Sequence, residues 1–291
     1  MPVARAELAP AKINLTLSVI RRRADGYHDI ESLVVFAAVG DTLMFTRGRK
    51  LSLAVRGPTA AASGQITDNL VLKAVRQLSE RIEGLKLGRF VLSKRLPVAA
   101  GVGGGSADAA AALRLLARAN RIALDDPRLM AAARATGADV PVCLDPRPRL
   151  MRGIGDVLSE PLELPRLPAV LVNPGVAVPT KDVFAALRID PIKRTGASAL
   201  FPQGGAGNLA AVFRPLSGDR NDLEAPAIAL QPVIADVLDD LRASAACRLA
   251  RMSGSGATCF GLFNSSRAAT AAARNLRTKH PTWWVRATTL G

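Results

Sequence analysis

The chain has 291 residues, 49% of them apolar and 22% charged, a length that points to two domains of roughly 150 residues rather than one core. Aromatic residues are only 4%, so Ala, Val and Leu must fill most of the interior. The net charge of +15 admits an anionic partner, but 31 Arg against 8 Lys, spread along the chain, reads as compositional bias; without a recognition module or stacking aromatics, nucleic-acid binding is not expected. The uncharged stretch 195–213 holds four Gly, a Pro, a Gln and an Asn, so it is no membrane span. Arg5, Glu7 and Lys12 precede any apolar run, which excludes a signal peptide and leads us to expect a cytoplasmic protein. Cys143, Cys247 and Cys259 are odd in number and lack a Cys-x-x-Cys spacing, so they read as buried small apolar residues in a reducing compartment rather than metal ligands.

Taken in chain order, residues 3–19 alternate loosely and end in KINLTLSVI, a strand pattern. The dense run Arg21, Arg22 and Arg23 leads into DGYHD, a polar turn. IESLVVFAAV and DTLMFTR follow as two strands, with KLSLAVRG and RFVLSKRL as two more. Between the latter pair, apolar residues at Leu70, Val71, Ala74, Val75 and Leu78 predict a helix with Asp68 as its N-cap. After the glycines at 101–105, SADAAAALRLLARAN predicts a strong helix with Ser106 and Asp108 at its start. PRLMAAARATG predicts another, closed by Gly137. From about residue 154 the pattern changes to a buried strand (PAVLVNPG), a helix opening at KDVFAAL, and an irregular connection over 190–220. PAIALQPVIADVLDDLRAS then predicts one amphipathic helix, and CRLARMSGSGATCFGLF two strands about a second glycine turn. RAATAAARNLRTK and WWVRATTL add a helix and a last strand. Strands and helices mix without strict β-α-β alternation, which indicates an α+β fold.

The glycine stretch at 101–105 has two readings. No lysine follows it, so it is not G-x-x-x-x-G-K-[ST], and the dinucleotide pattern G-x-G-x-x-G fits poorly. Glycines let backbone N–H groups approach phosphate oxygens, and the helix that follows points its positive dipole end the same way. The stretch is equally a tight turn with Ser106 as N-cap.

Two other segments bear on that choice. PAKINLTLSVIRRRADGYHDIESLVVF, LPVAAGVGGGSADAAAAL and RMSGSGATCFGLF together resemble, in order and across nearly the whole chain, the three signature motifs of the GHMP superfamily of small-molecule kinases. GADVP, NPGVAVPT and NDLE extend the likeness. The resemblance implies a two-domain α+β fold, with an N-terminal domain like ribosomal protein S5 domain 2 over 1–153 and a ferredoxin-like domain over 154–291. It also implies ATP with Mg²⁺ as phosphate donor and a small-molecule substrate, with no nucleic acid or membrane partner; the motifs set no oligomeric state. PAKINL, RADGYH and GADVP are similar to the members that phosphorylate the tertiary 2-hydroxyl of a cytidine-diphosphate sugar alcohol on the methylerythritol phosphate route to isoprenoids. The alternatives are a sister kinase of the mevalonate or homoserine type, or a non-catalytic nucleic-acid binder.

On this resemblance Gly101, Val102, Gly103, Gly104, Gly105 and Ser106 take the ATP phosphates, and Gly254 and Gly256 form the second glycine turn. Lys12 and Asp139 are the catalytic pair: a carboxylate accepts the hydroxyl proton, and an ammonium stabilises developing negative charge. His28 and Tyr27 match the cytosine contacts, Asn14 the sugar-alcohol end, and Thr180 a residue of the substrate pocket, with Asp182 beside it. Asn69 matches the adenine side or else starts a helix, and His280 reads as surface. The motif is not perfect. GVGGGSAD stands where GLGGGSSN is commoner, so Asp108 adds a carboxylate beside a phosphate site, and the protein ligands of the metal are not assigned.

Overall fold

The computed structural model describes residues 5–187 and 209–291. By internal contacts the chain forms two units, Met1–Ala11, Gly40–Val98 and Gly103–Pro146 in the first, and Lys12–Val39, Ala99–Val102 and Arg147–Gly291 in the second. The expected cut at 153/154 is linear, whereas these units interleave. The reason is strand pairing: β3 (His28–Arg47) pairs along Ile30 to Val34 with β6 (Arg149–Gly153), which draws the early strands into the second unit.

In the first unit the later part of β3 pairs antiparallel with β5 (Gly88–Ser93), and β4 (Ser52–Arg56) lies parallel to β5. Alternation buries Leu43, Phe45, Phe90 and Leu92, with the two rings 4.9 Å apart. IESLVVFAAV and DTLMFTR, expected as two strands, are one, because Gly40 lets the chain run straight past β1 (Arg5–Asn14). A Cβ at Gly40 would meet the Ala9 carbonyl oxygen.

Four helices complete this unit. Helix α1 (Leu70–Ser79) buries Val71, Ala74, Val75 and Leu78, as the spacing requires. Its N-cap is Asn69, whose Oδ1 accepts from the Val71 N–H at 2.9 Å, and not Asp68, which ends a preceding 3₁₀ turn. Helix α2 (Gly104–Asn120) carries Ala107 and Ala109–Ala112 fully buried, small residues that let α1 and α4 (Val140–Leu144) pack close. Helix α3 (Pro127–Thr136) starts at Asp126, whose carboxylate accepts from the Arg128 N–H, and ends before Gly137.

The second unit holds β2 (Ser18–Arg22), the first part of β3, β6, β7 (Val157–Leu158), and a four-stranded antiparallel stretch of sheet whose end strand meets β3 at the pair Leu290 and Ala37. That sheet runs β11 (Trp284–Leu290), β8 (Leu167–Asn173), β10 (Cys259–Phe263), β9 (Cys247–Met252). With helices between its first two and last two strands, this is the ferredoxin-like order. Its core joins Val170, Val172, Phe263 and Val285 to Val237 and Leu241 of α8 (Val233–Ala243) and to Ala273 and Leu276 of α9 (Ser266–Lys279). The single helix expected over 226–244 is two, because Pro232 lacks an N–H and pushes Gln231 out of the helical region; α7 (Glu224–Leu230) stops there. Residues 209–217, inside the stretch expected to be irregular, form α6 (Leu209–Ser217), and the rest of that expectation over 190–208 lies outside the described residues. Helix α5 (Thr180–Ala186) follows β8. Among the described residues no helix is long and apolar enough to cross a membrane, and the three cysteines form no disulfide with one another.

Candidate active site

In the first unit the site is built around the start of α2. The helix begins at Gly104, two residues before Ser106, with Gly103 as a left-handed N-cap (φ 60°) that has no side chain to bond the first N–H groups. The tight-turn reading with Ser106 as cap is therefore overturned: Ser106 lies inside the first turn. An uncapped first turn of backbone N–H groups, lined by Gly103, Gly104 and Gly105, is suited to an anion. A Cβ on Gly104 would have Lys94 Nζ at 3.6 Å and Asp41 Oδ2 at 3.7 Å, so ionic groups lie directly beneath it.

Those groups form a buried triad. Lys94 Nζ donates to Asp41 Oδ2 at 2.5 Å and to Asp108 Oδ2 at 2.8 Å. Asp41 Oδ1 accepts from the Arg95 and Leu96 N–H groups at 2.5 and 2.9 Å. Asp108 thus meets a lysine inside the unit. Burial pushes its carboxyl up to about 7, with Lys94 opposing the shift and Asp41 reinforcing it. Burial works to lower Lys94, but its two carboxylates outweigh that and raise it. Asp139, half-buried, stands at the N-cap of α4, and its side chain does not cap that helix.

The second unit gathers the remaining candidates about Gly254 and Gly256. Lys12, buried near the end of β1, donates its N–H to the Val102 carbonyl at 2.9 Å. The Asn14 N–H donates to Ser253 Oγ at 3.1 Å, and that hydroxyl donates to the Gly101 carbonyl at 3.0 Å. Gly101 must be glycine: at φ 72° a Cβ would lie 2.3 Å from the Ser253 carbonyl oxygen. Gly254 has φ 55°, and a Cβ there would come 3.0 Å from the Gly101 oxygen and 3.4 Å from Asn14 Oδ1. Asn14 Nδ2 donates to Ser32 Oγ at 2.7 Å, while its buried Oδ1 has no hydrogen-bond partner. Such an acceptor, facing a glycine turn, fits a substrate hydroxyl. Thr180 Oγ1 and Ser255 Oγ are 2.8 Å apart. His28 stacks on Phe184 of α5 with ring centroids 4.8 Å apart, and Tyr27 beside it is 63% exposed. Burial, with Arg22 adding to it, lowers the His28 pKa, so at neutral pH the ring offers one donor and one acceptor. Gly103, Gly104, Gly105, Ser106 and Asp139 belong to the first unit; Lys12, Asn14, Tyr27, His28, Gly101, Val102, Thr180, Gly254 and Gly256 belong to the second.

The models of two protein families match the chain: GHMP kinases N terminal domain over residues 69–145 and GHMP kinases C terminal over residues 202–282. Proteins named 4-diphosphocytidyl-2-C-methyl-D-erythritol kinase match at full length. That of Xanthobacter autotrophicus is 60% identical over 97% of both chains, and one from Rhodopseudomonas palustris is 56% identical over 97% of this chain and 96% of its own. The chain belongs to the GHMP kinases. A crystal structure of 4-(cytidine 5'-diphospho)-2C-methyl-D-erythritol kinase superposes with a TM-score of 0.78 at 36% identity, covering 99% of each chain. The fold is shared more widely: homoserine kinase from Cytophaga hutchinsonii gives 0.72 at 20% identity, covering 99% of this chain and 95% of its own.

Several residues of this GHMP kinase escaped the sequence reading. Within NDLE, quoted above without roles, Asn221 Nδ2 donates to the Met252 and Gly254 carbonyls at 2.8 and 2.7 Å, and Glu224 accepts from the Met252 N–H at 2.8 Å. The motif therefore shapes the second glycine turn. Asp41, Lys94 and Phe184 had no signal of their own, since a charged or aromatic residue within a strand or helix pattern reads as surface or core. His280, expected at the surface, is partly buried against Trp283 and Asp240. The arginine run is paired, Arg21 and Arg23 with Asp29 and Arg23 also with Asp25. Among the described residues no three His, Cys, Asp or Glu side chains form a metal cluster.

Proposed function

We propose that this kinase transfers the γ-phosphoryl group of ATP to the 2-hydroxyl of 4-diphosphocytidyl-2-C-methyl-D-erythritol, on the methylerythritol phosphate route to isoprenoids. The observation that carries the reading is 60% identity, over 97% of the chain, to a relative of that name. We assign residues 1–153 to the N-terminal kinase domain and 154–291 to the C-terminal one, which the two family matches at 69–145 and 202–282 support.

In the first unit the N–H groups of Gly103 to Ser106 and the dipole of α2 hold phosphate oxygens, and Asp139 takes the proton of the acceptor hydroxyl as its oxygen attacks phosphorus. In the second unit Lys12 supplies positive charge for the equatorial oxygens, Gly101, Gly254 and Gly256 keep the backbone clear of side chains, and the Val102 carbonyl, accepting from the Lys12 N–H, fixes the chain beside them. Asn14 Oδ1 accepts from the sugar alcohol, and Thr180 completes that pocket. A neutral His28 reads the edge of the cytosine, with Tyr27 and Phe184 as stacking faces. Mg²⁺, arriving with ATP, would neutralise charge on the phosphates; phosphate oxygens and water suit it as ligands, because this ion keeps several waters and needs few carboxylates. Cysteines that form no disulfide with one another support a cytoplasmic location.

A coupled assay of ADP release with Mg·ATP tests the substrate. Turnover is expected with the cytidyl substrate and not with mevalonate or homoserine. Turnover of either sister substrate alone would replace the assignment. Failure of all three, with salt-sensitive binding to nucleic acid, would reject it.

A further inference from the structure

Asp139 stands in the short turn 137–139 that joins α3 to α4, and a cation is bonded to the helix on each side, Lys73 exposed and Arg114 buried. The last carbonyl of α3, on Thr136, accepts from Lys73 Nζ of α1 at 2.8 Å. Helix α4 has only five residues, too few for its internal bonds to hold it in place. Its Cys143 carbonyl accepts from Arg114 Nη1 of α2 at 2.6 Å, and the Cys143 N–H donates to the Asp139 carbonyl at 3.4 Å. Arg114 is thus two hydrogen bonds from the backbone of Asp139.

Packing does not explain the choice of arginine. Arg114 is buried in a helix whose neighbouring positions are Ala and Leu, where an apolar side chain would be cheaper. Burial lowers its pKa, with Glu7 opposing the shift. Its other donors reach the Leu8 carbonyl at 3.1 Å and Glu7 Oε1 at 3.4 Å. A cation at carbonyls that end a helix is favourable at both places. Most telling is which helix carries Arg114: α2 is also the helix whose first turn faces the phosphates. One rigid element therefore sets both the anion-binding end and the place of the carboxylate.

We propose that Arg114 and Lys73 are positioning residues that hold the Asp139 turn at a fixed place relative to the N-terminus of α2. The inference rests on the role given above to Asp139. It is tested by steady-state kinetics on Arg114→Lys and Lys73→Met, each made in the wild type and in the Asp139→Asn background, with residual turnover followed by radiolabelled ATP. Arg114→Lys keeps the charge and loses the planar fork; kcat should fall by about 10–100-fold with both KM values within about twofold. Lys73→Met should lower kcat by about 3–10-fold. The Cys143 amide should exchange faster with solvent in Arg114→Lys. In the Asp139→Asn background neither change should lower the residual rate further. Equal fractional losses in both backgrounds, or losses confined to KM, would make the two cations merely structural and overturn the proposal. Full turnover by Asp139→Asn alone would overturn the role of Asp139 itself, whereas a dead Asp139→Asn with both brace variants silent would overturn only the brace. Lys73, at the exposed side of α1, keeps the test decisive if Arg114→Lys does not fold.

Discussion

Around the start of α2 the buried side chains that bond one another are ions, while around Gly254 and Gly256 a neutral set does so, beside the charged Lys12, Glu224 and Arg251. In the first case Lys94 sits between Asp41 and Asp108; in the second, Asn14, Ser32, Ser253, Asn173, Thr258 and Asn221 exchange uncharged hydrogen bonds. The difference follows from what each region must hold. In the role proposed above, the phosphate-binding end of α2 needs a rigid mount, and buried ions give one at the cost of desolvation. The second turn needs closeness rather than charge: its carbonyls and hydroxyls approach Gly101 to about 3 Å, which glycine alone permits. Removing a member of the ionic set leaves a partner charged and buried, whereas removing a neutral donor leaves only an unsatisfied dipole.

Asp139→Asn should lower kcat by about 10²–10⁴-fold and leave the melting temperature near that of the wild type, since its side chain caps no helix. Loss of fold in step with loss of rate would instead place Asp139 with the structural ions. Next comes Lys94→Met, which leaves Asp41 and Asp108 buried face to face. A loss of about 3–5 kcal/mol in urea denaturation is expected, and a loss below about 1 kcal/mol would show that the triad carries no net charge dependence. Gly101→Ala acts on the neutral side by shape alone: with φ at 72° and a Cβ 2.3 Å from the Ser253 oxygen, about 2–3 kcal/mol should be lost. A raised KM for ATP should accompany it.

The sequence reading reached the fold because its evidence was local and repeated: alternation for β5, helical spacing for α1, glycines between strands at 254–256. It faltered where one residue decided. Pro232 broke a continuous amphipathic pattern, and Gly40 lets what read as two strands run on as one. For the site, a resemblance carried by ordered motifs supplied Lys12, Asp139 and the glycines as candidates for the roles proposed above. Arg114, Lys94 and Phe184 stayed silent, because their meaning lies in partners 14 to 156 positions away: Asp108 for Lys94, Cys143 for Arg114, His28 for Phe184. No periodicity in a single sequence encodes a contact of that kind.

The smallest expected effect is the sharpest test of the ionic mount. Asp108 looked like a liability because a carboxylate beside a phosphate site repels it, yet it turns inward to Lys94, and burial raises its carboxyl to about 7. A carboxyl raised in the folded state binds its proton more tightly there than in the unfolded chain. Its contribution to stability is therefore fully present below about pH 4 and is lost as pH rises toward 7. Asn keeps an oxygen for Lys94 and has no charge to bury, so Asp108→Asn should gain on the wild type as pH rises from 6 to 7, by about 1 kcal/mol in urea denaturation. It should also bind Mg·ATP at pH 8 no worse than the wild type does, because the variant removes one negative charge from beneath Gly104. If the variant instead lost ground with rising pH, Asp108 would be an ionised partner of Lys94 throughout, and the negative charge under the first turn of α2 would be permanent.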